Sequence, residues 1–252
     1  MSGTIKPKNK TDQKKMIESG KRLSYVKNRL KEAVKIGVSA KQIEDLAVKL
    51  IKKEEGKASF KMVPNYDWAT CINVNEGIVH GIPKKEIVFQ KGDVVSVDVG
   101  IYYDGFHTDT SFTLGLEVDE KTEKFLEIGE KTLNSAIEKA KPGNRIYDIS
   151  KSIEDMLKKS GYTPIKALVG HGIGRQLHEE PQIPCYTSGE YKDSPVIPDG
   201  ACMAIEVMYS FGSEKLVLDE DGWTIVTSDG KISALFEDTV IAAKGGTRVL
   251  TA

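Results

Sequence analysis

Hydrophobic residues recur at helical spacing through most of the first fifty positions. Between Lys14 and Lys35 they stand three and four residues apart, which is the pattern of an amphipathic helix. A second helix is predicted to begin at Ser39, where Ser-Ala-Lys-Gln has the form of a capping box, and to stop at Gly56. The polar stretch before the first helix lacks this period, so we predict a flexible basic tail over residues 1–12.

Runs of β-forming residues come next, and the order of elements then repeats. The predicted elements are strands at 70–74 and 93–114, helices over Lys121–Lys141 and Ile146–Lys159, and β segments at 166–170, 201–211, 223–227 and 232–242. Two helices followed by strands, twice over, indicate two similar halves that share one sheet. No linker interrupts the chain, so we predict one α+β domain over residues 13–252.

Composition and charge exclude several classes of protein. The 39% of hydrophobic residues, with glycine added, reaches the level of globular proteins, and no apolar run approaches the roughly 18 residues of a membrane helix. The three cysteines form no CxxC pair, so no zinc finger is indicated and we expect a cytoplasmic protein. Residues 1–57 carry a charge of +9 and the remainder −10. This basic arm is either a solvated helix surface or a docking surface for nucleic acid.

A hairpin in the first half places two aspartates on one face. The Asp-Gly dipeptide at 104–105 is a strong signal for a two-residue turn, which pairs Asp98 with Ser111 and Gly100 with Asp109. Asp98 and Asp109 are then diagonal neighbours about 7–8 Å apart at the backbone. A carboxylate within a valine-rich strand is costly to bury unpaired, and a cation between the two would remove that cost. The alternative is a half-exposed hairpin with polar residues facing solvent.

Three of the four histidines lie in glycine-flanked segments. His171 and His178 belong to Val169–Pro181, and His80 belongs to Asn75–Pro83. Glycines let the backbone approach a ligand, although each histidine alone is as readily explained by packing. The spacing of seven differs from the HExxH of zinc proteases, and the chain has neither GxSxG nor a P-loop. The fourth histidine, His107, is predicted to be structural.

Two glutamates interrupt apolar strands of the second half. Glu206 lies in Met-Ala-Ile-Glu-Val-Met and Glu237 in Ala-Leu-Phe-Glu-Asp-Thr-Val. A lone glutamate in such a strand is usually exposed. Four strand acids together with glycine-flanked histidines instead favour a site for two divalent ions, which can polarise a carbonyl and activate a shared water.

Taken in order, these motifs resemble those of type I methionine aminopeptidases. The resemblance covers about residues 14–250 and rests on five segments: Asn75–Pro83, Val97–Thr110, Gly170–Pro181, Ala204–Glu206 and Phe236–Thr239. It implies the pita-bread fold, in which two pseudo-symmetric αβ halves surround a central curved antiparallel sheet and a dimetal site. This architecture agrees with the repeated order of elements.

The resemblance also implies roles for individual residues. The implied metal ligands are Asp98, Asp109, His171, Glu206 and Glu237, with Asp109 and Glu237 bridging two ions of Co, Mn, Fe or Zn. Glu206 would shuttle a proton, His178 would stabilise the tetrahedral intermediate, and His80 would contact the scissile amide or the leaving amine.

Further positions match the substrate pocket and an accessory site of that family. Tyr66, Cys71 and Trp223 match the methionine pocket, while Asn75 and Ser233 match the surroundings of a monovalent cation. Three departures concern the pocket, which we therefore expect to be less typical than the metal site. They are Leu177 in place of the usual aromatic residue, Val79 in place of a common cysteine, and a 60–68 stretch without the usual Gly-Tyr-Pro-type loop.

The function implied is removal of the initiator methionine from nascent proteins whose second residue is small. The expected partners are nascent chains and, through the basic arm, the ribosome; we expect no membrane partner and a monomer. One alternative is an Xaa-Pro aminopeptidase or dipeptidase on the same fold, although about 60 residues before the first motif leave little room for the additional N-terminal domain usual there. Another is a metal-free binding module, which would be expected to have lost ligands.

Overall fold

The computed structural model describes residues 4–252, which contain four α-helices: α1 (Lys10–Ala33), α2 (Ala40–Lys53), α3 (Glu120–Lys139) and α4 (Ile146–Lys159). The predicted helices are confirmed, and side chains of the N-cap residues cap the starts of α1, α2 and α3. Ser39 and Gln42 form the expected capping box of α2, and Asp119 accepts a hydrogen bond from the backbone N–H of Thr122 at the start of α3. None of the helices in this part of the chain is long and apolar enough to cross a membrane.

The same residues form thirteen strands, with two short 3-10 helices at Phe60–Met62 and Tyr191–Asp193. The strands are β1 (Lys57–Ala58), β2 (Thr70–Val74), β3 (Gly77–Val79), β4 (Val94–Tyr103), β5 (Phe106–Gly115), β6 (Thr163–Pro164), β7 (Val169–Gly172), β8 (Glu179–Pro184), β9 (Cys202–Ser210), β10 (Leu216–Leu218), β11 (Ile225–Thr227), β12 (Ser233–Ile241) and β13 (Arg248–Val249).

One large antiparallel sheet joins the two halves of the chain. Its main path runs β1-β4-β5-β12-β9-β7-β8, with β2 on β4, β6 on β9 and β13 on β12, while β10, β11 and β3 form a separate small sheet. Helices α1 and α2 pack with the first half, and α3 and α4 with the second. This is the predicted pita-bread architecture of two αβ halves around a shared antiparallel sheet.

The predicted register of the first hairpin is confirmed. Asp98 pairs with Ser111 and Gly100 with Asp109, on either side of a turn whose two residues have φ of 46° and 87°. The valines at 95, 97 and 99 pack in the cluster beneath α1 and α2. Side chains alternate between the faces of a strand, so Asp98 points to the opposite face of the sheet.

The seam between the halves is short and is held partly by threonine side chains. Strands β5 and β12 pair at two positions, Ser111 with Glu237 and Thr110 with Asp238. Beyond them, the Thr239 hydroxyl accepts from the backbone N–H of Asp109 at 2.9 Å and donates to its carbonyl at 2.7 Å. Threonine hydroxyl groups here take the place of ladder hydrogen bonds between the two strands.

Two predictions from the sequence are corrected. The flexible tail is wrong for residues 4–12, because Ile5 is buried in the core, the Lys8 N–H donates to the Gly200 carbonyl at 2.8 Å, and α1 begins at Lys10; residues 1–3 lie outside the described part. The segment predicted at 166–170 is shifted to β7, and its partner β8 was not predicted, since Pro181 and Pro184 argue against a strand.

Candidate active site

Acidic side chains form a row across four neighbouring strands at the centre of the sheet. Asp98 of β4 pairs with Ser111 of β5, Ser111 pairs with Glu237 of β12, and Glu237 pairs with Glu206 of β9. Directly paired residues have their side chains on the same face. The three acids, far apart in sequence, therefore stand in one line on the same face of the sheet, with Ser111 between Asp98 and Glu237.

Asp109 and His171 complete the cluster from the adjacent row of the sheet, level with Thr239 and Ala204. One ligand atom each from Asp109, His171 and Glu237 lies within 4.8 Å of the others, and all three residues are buried. Gly100 is required opposite Asp109, since a Cβ there would lie 2.8 Å from Ser59 Cβ and 3.2 Å from Asp109 Oδ1. The structure thus brings together all five residues named as metal ligands.

The imidazole of His171 is held in one tautomer. Its Nδ1 lies 2.8 Å from the carbonyl oxygen of Gly172, which only accepts hydrogen bonds, so Nδ1 carries the proton. The unprotonated Nε2 then faces the acids, 3.6 Å from Glu206 Oε1. Burial, with a contribution from His178, lowers the pKa of His171 to about 4, which keeps the ring neutral. A neutral imidazole with a fixed tautomer is suited to bind a metal ion.

The carboxyl groups are not stable as a cluster of anions on their own. Burial, together with the neighbouring acids, raises the pKa of Asp98, Glu206 and Glu237 well above their usual range, and burial raises that of Asp109 to about 7. Within residues 4–252, Asp98 Oδ1 and Glu237 Oε1 are buried without a hydrogen-bond partner. Buried oxygens of this kind are costly unless a cation binds them. Four carboxylates and one imidazole fit hard or borderline divalent ions.

An open cleft of about 940 Å³ leads to these residues. His171 and Glu206 lie in its wall, together with His80 and His178, which are both exposed. The His178 ring packs edge-on against His171 at 4.5 Å. Desolvation by the surrounding protein lowers the pKa of His80 and His178, so both are neutral near pH 7. His80 has a φ of 59°, a strained value that is common at functional positions.

The residues predicted to form the methionine pocket lie together in an apolar cluster. Tyr66, Cys71 and Leu177 are buried, and Trp223 packs edge-on against Tyr66 at 5.1 Å. The Tyr66 hydroxyl lies 3.2 Å from the Cys71 sulfur, and Cys71 pairs with Asp98 of the acidic row. The cluster therefore adjoins the acids, with its members packed against one another rather than lining the open cleft.

The two residues predicted for a monovalent cation are also close in space. Ser233 Oγ lies 2.9 Å from the Gly77 carbonyl oxygen and 3.4 Å from that of Asn75. The Asn75 side chain itself bonds Asp93 and the backbone N–H of Val94. Any cation here would have the Asn75 main-chain oxygen and not its amide as a ligand, and the site stays a prediction.

Residues outside the motifs shape the site as well. His107 is structural as expected: it is buried, and its Nδ1 lies 2.9 Å from the Ser59 hydroxyl. Lys8 and Thr4 line the cleft, which the sequence did not suggest. The segment before α1 is polar and has neither helical nor strand periodicity. Its lysines were its only notable feature in the sequence, and they do not indicate that it borders the cleft.

Comparisons with known proteins agree with this site. Residues 14–244 match Metallopeptidase family M24. A methionine aminopeptidase of Clostridium perfringens (strain 13 / Type A) is 37% identical over 245 residues, which are 97% of each chain. The crystal structure of methionine aminopeptidase from Thermotoga maritima superposes with a TM-score of 0.95 at 38% identity and covers 98% of this chain and 99% of that one.

Proteins with lower sequence identity to this chain share its fold. A prolidase from Pyrococcus furiosus superposes with a TM-score of 0.77 at 21% identity, and the match covers 98% of this chain but 65% of that one. That likeness shows the fold alone. The chain is similar in sequence over its full length to the methionine aminopeptidases. The cluster of four acids and one histidine is suited to bind the metal ions of a metallopeptidase. The chain therefore belongs to Metallopeptidase family M24 and, within it, to the methionine aminopeptidases.

Proposed function

We propose that this enzyme removes the initiator methionine from nascent proteins whose second residue is small, with two divalent metal ions as cofactor. The observation that carries the proposal is the buried cluster of Asp98, Asp109, His171, Glu206 and Glu237 at the base of a cleft, on a chain similar over its full length to methionine aminopeptidases. Asp109 and Glu237 stand on the two sides of the seam and are the proposed bridging ligands.

The protein supplies the groups that the reaction needs around the metal site. Asp98, Asp109, His171, Glu206 and Glu237 would hold the two ions, which would supply Lewis-acid polarisation of the scissile carbonyl and a bound water of lowered pKa. Glu206 reaches both the acidic row and the cleft, so it is placed to accept a proton and pass it to the leaving amine. His178, neutral and exposed in the cleft, donates a hydrogen bond to the developing oxyanion, and His80 contacts the scissile amide.

Hydrolysis of three tripeptides tests the proposal. We expect methionine release from Met-Ala-Ser with added Mn²⁺, Co²⁺, Fe²⁺ or Zn²⁺, little from Met-Lys-Ser, and none after chelation. Equal turnover of Met-Ala-Ser and Met-Lys-Ser would refute the preference for a small second residue. An Ala-Pro-Ser peptide separates the alternative enzyme class, because an Xaa-Pro aminopeptidase would cleave it faster than Met-Ala-Ser. Stoichiometric metal in the purified protein would dismiss a metal-free binding module.

The basic arm is a proposed docking surface for the ribosome, where nascent chains emerge past RNA phosphate. Its +9 charge stands against −10 on the rest of the chain, so the arm would face a polyanion. Some of these charges are already paired within the protein: Lys15 with Asp104, and Arg22 with Glu18 and Glu55. Lys14, Lys21 and Lys31 are exposed and available. A ribosomal partner implies a cytoplasmic location. The three free cysteines are consistent with that location, because disulfides are rare in the cytosol.

Co-sedimentation with ribosomes tests the docking surface. Replacing Lys14, Lys21 and Lys31 with glutamine is expected to weaken association and to flatten its dependence on salt, since fewer counterions are released. The matched control replaces three exposed lysines of α3, Lys124, Lys131 and Lys139, and should bind as the unmodified protein does. Equal binding by both variants, or binding that does not fall with salt, would leave the arm as a solvated surface.

A further inference from the structure

The segment before α1 is anchored in the second half of the molecule. Ile5 is buried in the core cluster that contains Ile78 and Ile197. The Lys8 N–H donates to the Gly200 carbonyl at 2.8 Å, and the Lys8 carbonyl accepts from Gln13 Nε2 at 2.7 Å. The backbone of Lys8 is therefore fixed on both sides, and its side chain extends from a defined point.

From this point Lys8 reaches the loop between β7 and β8. Its ammonium forms an ion pair with Glu179, with 2.5 Å between Nζ and Oε2, and 10% of the lysine side chain is exposed. The lysine stem lies directly against Gly174, where a Cβ would stand 2.4 Å from Lys8 Cε. The lysine approaches the loop this closely because residue 174 has no side chain.

Glu179 extends the contact along the loop. Its other oxygen, Oε1, accepts from the backbone N–H of Gln176 at 3.2 Å. A second ion pair, with 3.2 Å between Arg175 Nη2 and Asp12 Oδ1, joins the same loop to the first turn of α1, although the arginine is exposed and contributes less. The loop is thus held at 174–176 and again at 179, on either side of His178.

The His178 side chain depends on this loop for its position. No hydrogen bond between residues of the 4–252 range holds its ring, which contacts His171 edge-on at 4.5 Å. Its backbone stands between Gly174 and Glu179, which both contact Lys8, and the Gly174 carbonyl also accepts from the His107 N–H at 2.7 Å. Because Glu179, the ion-pair partner of Lys8, directly follows His178 in the chain, we expect a change in Lys8 to act first on His178.

We propose that Lys8 is a positioning residue for His178: through Glu179 and Gly174, the N-terminal segment sets where the His178 ring stands in the cleft. The inference rests on the proposed function, because it takes His178 to act on the substrate. Positioning that matters in the transition state lowers kcat when it is lost, while metal binding and KM change little.

Lys8→Met tests this role, since methionine keeps an unbranched stem and removes the charge. We expect kcat on Met-Ala-Ser to fall about tenfold, less than the roughly hundredfold that a misplacement of one ångström can cause. Metal content and KM should stay unchanged, and Lys8→Arg should recover part of the loss. The matched control is Lys15→Met, which removes the ion pair with Asp104 and leaves the loop untouched; its kcat should equal that of the unmodified enzyme.

A double variant separates positioning from general stability. If Lys8 acts through His178, Lys8→Met combined with His178→Ala should have the kcat of His178→Ala alone. A further tenfold loss in the double variant, or an unchanged kcat in Lys8→Met, would overturn the inference. Amide hydrogen exchange gives a second measurement that needs no turnover: exchange across residues 173–180 should be faster in Lys8→Met and unchanged in Lys15→Met. Unchanged exchange in Lys8→Met contradicts this inference alone, whereas an unmodified enzyme that releases no methionine contradicts the proposed function.

Discussion

Asp109→Asn is expected to abolish almost all release of methionine and to lower the amount of metal that the protein retains. Asp109 lies at the seam, with a carboxylate oxygen within 4.8 Å of the ligand atoms of His171 and Glu237. A neutral amide cannot balance the charge of two cations, and a loss of several kcal/mol of transition-state stabilisation corresponds to a decrease in kcat of about a thousandfold or more. The measurements are kcat on Met-Ala-Ser and metal content by mass spectrometry after dialysis.

Asp104→Asn provides the matched control for this variant. Asp104 is in the turn of the same hairpin, with a φ of 46° that asparagine also adopts, and it pairs with Lys15 at the surface. We expect unchanged activity and metal content there. Full metal occupancy in Asp109→Asn would contradict the bridging assignment even if activity were lost.

His178→Ala is expected to lower kcat by about 10²–10³ while the metal content stays at its original level, which is the effect of removing one donor to a developing oxyanion. His178 is exposed in the cleft and neutral near pH 7, so it can donate a hydrogen bond without belonging to the acidic cluster. KM should change little, because the ground-state carbonyl carries less charge than the transition state.

His171→Ala gives the contrast, because it removes an imidazole only 4.5 Å away. The Nε2 of His171 faces the acids, so this variant should lose metal together with activity. Loss of metal in His178→Ala as well would make His178 a ligand and remove its role as a donor.

Local signals predicted the parts of the site that depend on one hairpin or one turn. The Asp-Gly turn fixes the register of β4 and β5, and with it the approach of Asp98 and Asp109 on one face. Glycines around His80 and His171 marked segments that lie close to a ligand site. The resemblance to a known family then assembled these pieces into one centre.

Long-range pairing was beyond what the residues alone could specify. Glu206 and Glu237 pair directly, yet nothing in either strand names the other as its partner. Strand β8 was not predicted because it contains two prolines, which lack a backbone N–H. They are tolerated because β8 lies at the edge of the sheet, where fewer ladder hydrogen bonds are needed. The segment around Lys8 was predicted to be flexible because its order comes from tertiary contacts with Gly200 and Glu179, and such contacts leave no periodic pattern in the sequence.

The short seam between β5 and β12 also links metal binding to the stability of the whole protein. Asp109 and Glu237 lie diagonally across it on neighbouring strands but far apart along the chain, so a cation held by both carboxylates would bind the folded state and not the unfolded one. Such binding adds RT ln(1 + [M]/Kd) to the free energy of unfolding, about 2.7 kcal/mol at a free metal concentration of a hundred Kd. The folded sheet would thus act as a chelator, and the increase in melting temperature with metal concentration would measure its affinity for the metal.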